Sequence, residues 1–379
     1  MIFNDYSSLY SAGNEQGFGA HLLRRLNLDA PLLLALLLLS LAGLAILYGA
    51  SGEDVDTVYR QAVRLALSFG VLLVVAQIPP HLLKLWTPWL FGLGLVLLVV
   101  TLGVGHIGRG AQRWLSLGVV RFQPSEIMKI AVPMMVGWYL HDRNLPPTWR
   151  ELGPLALLVG IPVGLVAVQP DLGTALLIAS AGFFGVFLAG LRWRVILLLA
   201  VLAAIATPIG WHFLHDYQRE RVLTFLNPER DPLGAGYHII QSEIAIGSGG
   251  VFGKGWLHGS QSQLDFLPES STDFIFAVLG EEFGLLGVLA LLALYGFVIA
   301  RTLIIALRAQ DTFSRLSAGA LGMAFFTYVF INSGMVSGLV PVVGVPLPLV
   351  SYGGTSMVTL MAGFGILMSI HSHRKLLST

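Results

Sequence analysis

Asp273 is the residue of this chain best suited to move a proton. It follows Pro268-Glu-Ser-Ser-Thr272 and stands directly before Phe274-Ile-Phe-Ala-Val-Leu279, where a polar segment gives way to an apolar one. Apolar surroundings raise the pKa of a carboxyl group, and a carboxylate brought closer to neutrality suits a general base. The same position is that of a helix N-cap, with Thr272 as competitor, and both readings stay open. Asp171, in Gln169-Pro-Asp-Leu-Gly-Thr174, has the same two readings. Glu126 and Lys129, three residues apart on one helical face, can neutralise each other. A structural ion pair explains them as well as a reactive one does. Glu281 and Glu282 form a further acidic pair, of the kind that more often contacts backbone or a neighbouring helix than reacts.

Two glycine-rich stretches offer backbone chemistry. Residues 247–255 (GSGGVFGKG) have amides that could meet a phosphate, but the Walker A spacing and its preceding strand are missing, which excludes an ATP site. Residues 340–354 (VPVVGVPLPLVSYGG) place three prolines where a helix would have to cross, so their backbone is irregular and must be buried in protein or face a cavity. The chain has no cysteine, which removes disulfides and thiolate chemistry together. Its histidines are too dispersed for a metal site built from protein alone.

The elements that position these residues follow from composition. Of 379 residues only 11% are charged and 55% are hydrophobic, against about 25% charged in a soluble domain. Repeated apolar runs of about 20 residues make this an integral membrane protein. Soluble enzymes, secreted disulfide scaffolds and disordered chains are excluded. The expected fold is all-α and polytopic, with ten transmembrane helices near 31–50, 62–78, 86–104, 124–141, 153–169, 172–190, 194–214, 274–300, 316–337 and 355–372. A large extracytoplasmic loop, 215–273, lies between helices seven and eight, and its apolar residues argue for order. A re-entrant Pro/Gly-rich loop joins helices nine and ten. Residues 1–27 form a cytoplasmic N-terminal segment and 28–376 a single transmembrane domain. Met1 to Leu28 is polar and does not resemble a cleavable signal.

Orientation follows the Lys and Arg of short loops. With both termini cytoplasmic, twelve of the 22 Lys and Arg residues fall inside, from Arg24 and Arg25 to Arg374 and Lys375. The others are clustered on the disfavoured side: Arg60 with Arg64; Arg109, Arg113, Arg121 and Lys129 around one loop; Arg219, Arg221, Arg230 and Lys254 in another. Random breaches would be scattered. Clustered ones suggest cations kept outside to hold an anion.

Several long motifs now coincide in order. Residues 332–335 (NSGM) followed by 341–354, residues 121–129 (RFQPSEIMK), 169–174 (QPDLGT) and 231–242 (DPLGAGYHIIQS) closely resemble the signatures of the SEDS family, the shape, elongation, division and sporulation proteins. The resemblance covers about 28–376. Residues 77–80 (QIPP), 110–114 (GAQRW) and 254–268 resemble its elongation branch rather than its division branch. It implies a peptidoglycan glycosyltransferase that polymerises lipid II at the outer face of the bacterial cytoplasmic (inner) membrane. Its implied partners are a class B penicillin-binding transpeptidase and the elongation machinery, with no nucleic acid. On that reading Asp273 is the catalytic base. Arg109, Arg113, Arg121, Glu126, Lys129, Asp171, Arg219, Arg221, Lys254 and Ser351 are expected to bind substrate. A divalent cation, Mg2+ or Mn2+, is an allowed companion of the pyrophosphate, and no organic cofactor is expected. The rivals are a transporter that flips lipid II, whose charges should lie near the midplane beside broken helices, and a scaffold for the transpeptidase.

Overall fold

Apolar helices form the body of the computed structural model, which describes residues 26–108, 111–116, 121–213, 216–230, 235–264, 266–267 and 269–373. In chain order they are α1 Ala30–Ala50, α2 Val55–Ala76, α3 Pro80–Val104, α4 Pro124–Leu140, α5 Trp149–Val168, α6 Leu172–Leu188 and α7 Trp193–Phe213. The chain continues with α8 Asp216–Leu226, α9 Ala235–Gly249, α10 Ser260–Gln263, α11 Ile275–Leu307, α12 Thr312–Val336 and α13 Thr355–Ser372. Eight of these, namely α1, α2, α3, α5, α7, α11, α12 and α13, are long and apolar enough to cross a membrane. The other two expected spans are present as helices, α4 and α6, of 17 residues each. That is the lower limit of the about 17–25 residues a span takes, and α4 also carries Glu126 and Lys129.

Three departures from the expected pattern have local causes. Helix α2 begins at Val55 rather than near 62, because Asp54 caps it by accepting from the Asp56 amide at 2.9 Å and lets polar turns extend beyond the apolar run. Between α3 and α4 the chain forms a small antiparallel meander, β1 His106–Gly108, β2 Ala111–Ser116 and β3 Arg121–Phe122, paired in that order. The fold is therefore not helical throughout. The segment read as one outer loop, 215–273, is largely helical, with α8, a 3-10 turn Pro228–Arg230, α9 and α10.

Helix α12 is the centre of the bundle, with 78% of its span buried, and it packs against α11, α6 and α4. Helix α13 packs against α2. At the end of the bundle nearest the C-terminus of α13, Arg301 donates to both carboxylate oxygens of buried Asp29 (3.0 and 2.6 Å), and the His371 ring stands 3.2 Å from the same carboxylate. One acidic side chain thus ties α1, α11 and α13 together.

Helix α11 is not continuous. Its 33 residues would measure ~50 Å, well beyond the ~30 Å hydrocarbon core, and it breaks at Gly284 (φ 64°, ψ −162°). Residues 275–282 form a buried first segment, and those after the break are enough to cross. At the break the chain of residues 250–255 replaces the lost helical bonds. Lys254 and Gly255 donate to the carbonyls of Glu281 and Glu282 (3.0 Å each), while Leu285 and Leu286 donate to Gly250 and Val251 (2.9 and 3.2 Å). The strands of chain approach so closely that a Cβ on Gly253 would lie 2.1 Å from the Glu282 carbonyl oxygen, and one on Gly284 would lie 2.3 Å from the Gly253 nitrogen. Both glycines also have positive φ. The glycine-rich stretch 247–255 therefore serves the helix rather than a phosphate.

Candidate active site

Asp273 sits in the turn that leads into α11, and the residue at the N-cap position is Phe274. The main chain on either side of Asp273 is clamped. Its own carbonyl accepts from Asn332 Nδ2 of α12 at 2.9 Å. The Thr272 carbonyl accepts from Ser351 Oγ at 2.5 Å, and the Ser271 carbonyl from the Tyr352 amide at 2.8 Å. Two of these clamps come from the Pro/Gly-rich segment 341–354, which is irregular and largely buried in protein, as its prolines require. Its own carbonyls are satisfied by side chains: Val345 by Asn332 Nδ2 (2.8 Å), Pro348 by Tyr295 (2.6 Å) and Ser351 by Gln61 (3.0 Å). Ser351 Oγ also accepts from the Leu347 amide at 2.8 Å. Ser351 is thus placed as a positioning group for the Asp273 turn.

The segment 341–354 also joins Asp273 to a second polar cluster. A Cβ on Gly344, whose φ is +71°, would stand 3.5 Å from Asp273 Oδ2, and one on Gly173 would lie 2.7 Å from the adjoining Val343 carbonyl oxygen. Gly173 lies in the first turn of α6, which Asp171 caps by accepting from Thr174 N at 3.2 Å. Asp171 is buried, accepts from Gln123 Nε2 at 2.9 Å and pairs with Arg113 of β2 at 3.5 Å. The meander therefore delivers one cation to Asp171 at the start of α6, and both the first turn of α6 and the Asp273 carboxylate lie against segment 341–354. Next along the chain, Lys129 pairs with Glu126 at 2.7 Å and donates to Tyr328 Oη at 2.6 Å, all three side chains being buried.

Other expected groups are placed elsewhere. Lys254 donates to Glu281 Oε1 (2.6 Å) and Ser260 Oγ (2.7 Å), beside the break in α11. Glu281, fully buried, also accepts from the Gln261 amide, so Lys254 is engaged in holding the outer segment to α11. Arg219 donates to the carbonyls of Trp211 and His212 (3.0 and 2.9 Å) and so caps the end of α7. Arg109 and the side chains of Arg121 and Arg221 lie outside the described residues.

Four residues near Asp273 and Asp171 were not singled out by type: Gln123, Tyr328, Asn332 and His238. Gln123, His238 and Asn332 lie inside the motifs quoted above, which was the available signal. His238 of α9 stacks on Phe274 with ring centroids 5.6 Å apart, and burial holds its pKa below the ordinary 6.5. Among the described residues no group of three or more His, Asp and Glu could hold a metal ion. The described protein groups do not by themselves form a metal cage, and a divalent cation would have to arrive with phosphate oxygens as most of its ligands.

A profile of the FtsW/RodA/SpoVE family, described as a cell cycle protein family, matches residues 26–376. The chain is 56% identical over 355 residues to the peptidoglycan glycosyltransferase MrdB of Escherichia coli K12, covering 93% of this chain and 96% of that one. It is 38% identical to the MrdB of Helicobacter pylori, covering 83% of each. Among solved structures it superposes with a TM-score of 0.80 and 34% identity on a chain from a study of how a peptidoglycan synthase complex coordinates polymerization and crosslinking, covering 92% of this chain and 98% of that one. The Thermus thermophilus rod shape determining protein RodA matches with a TM-score of 0.70 and 30% identity, covering 92% and 98%. With its motifs, its helices and nearly its whole length accounted for by these relatives, the chain belongs to the FtsW/RodA/SpoVE family, the SEDS proteins.

Proposed function

We infer that this chain is a peptidoglycan glycosyltransferase that polymerises lipid II at the outer face of the bacterial cytoplasmic membrane during cell elongation. The observation that carries the reading is the clamped turn at Asp273, whose carboxylate lies against segment 341–354, as does the first turn of α6 that Asp171 caps and links to Arg113. Asp273 takes the proton from the C4 hydroxyl of the acceptor sugar while that oxygen attacks the anomeric carbon of the donor. The bond from that carbon to the undecaprenyl pyrophosphate breaks, and the leaving group departs with the electron pair. Attack from the opposite face inverts the α-linked donor to a β-1,4 bond. Arg113, with Arg121, stabilises charge growing on the pyrophosphate. A divalent cation, Mg2+ or Mn2+, would add positive charge at the same pyrophosphate. The test of the whole reading is the purified protein with fluorescent lipid II, which should give glycan polymer on a gel.

Arg113 has a separable role. Arg113→Gln should lower the rate at saturating lipid II about ten-fold or more, because a charge-assisted contact to a developing anion is lost. A change confined to apparent substrate affinity would reduce Arg113 to a docking group.

The helices support ten crossings, α1 to α7 and α11 to α13, with both termini cytoplasmic and 215–273 outside, since most Lys and Arg of the short loops then lie inside. An enzymatic reporter fused after Thr379 should be active in its cytoplasmic form. Activity only in a periplasmic form would place Asp273 on the wrong side of the membrane.

A transporter reading shares one feature with this protein, the broken helix α11. At that break, however, the freed backbone groups are bonded by residues 250–255, whereas a transporter leaves them for its cargo. The partner we propose is a class B penicillin-binding transpeptidase, engaging chiefly through its membrane helix. Polymerisation measured with and without the partner in one detergent should differ severalfold, and equal rates would remove the coupling.

A further inference from the structure

A second cavity, with no part in the site above, lies between α5, α6 and α7 and has a volume of about 360 Å3, within the about 300–1,000 Å3 of small-molecule sites. Leu152, Val159, Phe183, Val186 and Leu198 line it, and none of its lining residues is charged. Along α5 the lining runs from Trp149 to Val159, roughly ten residues or ~15 Å of helix, which is half of the ~30 Å hydrocarbon core. The cavity therefore has the depth of one leaflet. One end of the cavity lies beside the α4–α5 loop and the α6–α7 turn, where a Cβ on Gly190 would stand 3.5 Å from Pro146 Cβ. In the orientation proposed above, on which this inference rests, that end is cytoplasmic.

This end is basic. Arg150, Arg192 and Arg194 each adjoin a lining residue, namely Trp149, Leu191 and Val195. All three are exposed, and among the described residues none has an ion-pair partner. Arg143, at the same end, is already engaged by Glu151 (3.6 Å) and the Tyr139 ring. Trp149 and Trp193 are 54% and 70% exposed, as aromatic residues at a headgroup boundary are. Helix α7 has only 6% of its span buried, so lipid rather than protein covers most of it. We propose that this cavity takes an acyl chain of an anionic diacyl phospholipid, phosphatidylglycerol, whose phosphate is held by Arg150, Arg192 and Arg194. Unpaired guanidinium groups recognise phosphate by charge-assisted forks, and basic pockets between helices on the cytoplasmic side select acidic headgroups. One slot of one leaflet's depth suits a two-chain lipid. Bound there, the lipid fills the space between α7 and the α5–α6 pair.

The test counts bound lipid by native mass spectrometry after the full-length protein in mild detergent is titrated with phosphatidylglycerol, phosphatidylethanolamine, cardiolipin or undecaprenyl phosphate. The unmodified protein should retain phosphatidylglycerol roughly ten-fold better than phosphatidylethanolamine. The Arg150→Gln/Arg192→Gln/Arg194→Gln protein, altered only at exposed positions, should fold normally and bring that preference close to unity. Ala156→Phe, which places a ring in the cavity, should abolish retention of both lipids. Equal retention of the two lipids by the unmodified protein, a preference that survives the triple substitution, or preferential retention of cardiolipin or of an undecaprenyl lipid would each overturn the proposal. The measurement reads bound lipid and not turnover, so a failure of the polymerase reading leaves it interpretable. The Thr379 reporter tests orientation separately.

Discussion

Asp273→Asn should leave a folded, inserted protein that polymerises lipid II two to four orders of magnitude more slowly, the range expected for a missing general base. The substitution keeps the size of the side chain and its capacity to accept a hydrogen bond while removing its capacity to take a proton. The clamps on this turn run through main-chain carbonyls of Ser271, Thr272 and Asp273, which Asn retains. Single-turnover polymerisation on gels, with thermal unfolding as the control, separates the outcomes. A rate within a few-fold of the unmodified protein would remove Asp273 as the base and leave Asp171 or Glu126 as the next candidate.

The second large effect is on stability. Lys129→Met should destabilise the fold by about 3–5 kcal/mol, because it strands a buried carboxylate. Glu126 Oε2 already has no hydrogen-bond partner, and Oε1 depends on Lys129 at 2.7 Å. Adding Glu126→Gln to Lys129→Met should recover much of that loss, since both charges are then gone. Thermal unfolding of the two variants in one detergent checks this. If the double variant is no more stable than the single one, the pair is not the structural unit described here. Should the double variant recover stability and remain inactive, the pair also serves the reaction.

The helices were legible because apolar runs between charges and prolines have nearly the length of a membrane span, and their ends fell close to the observed ones. The polar extension of α2 was not, since hydropathy ends where the membrane does while a capped helix continues. Asp273 was legible from its position between a polar and an apolar segment. What holds it was not: Ser351 and Thr272 are 79 residues apart, and a pairing at that separation leaves no periodicity in the sequence. Lys254 reads as an outer cation from its loop, and only the fold shows Glu281, 27 residues on, as its counter-ion. The break at Gly284 was hidden for the same reason, as its complement is Gly253. The meander before α4 is too short and too rich in glycine to show an alternating pattern.

The hydrogen bonds between residues 250–255 and the break in α11 bear on where this chain can be lengthened or cut. Long exposed loops are ordinarily the places that accept an epitope tag, a protease site or a circularly permuted terminus. Here the longest stretch between crossings supplies backbone to the interior of a helix, so an insertion near Phe252 would separate donors and acceptors rather than extend a free end. A tag belongs instead after Asp142, in a turn whose Arg143 amide bonds back to Leu140 of its own helix.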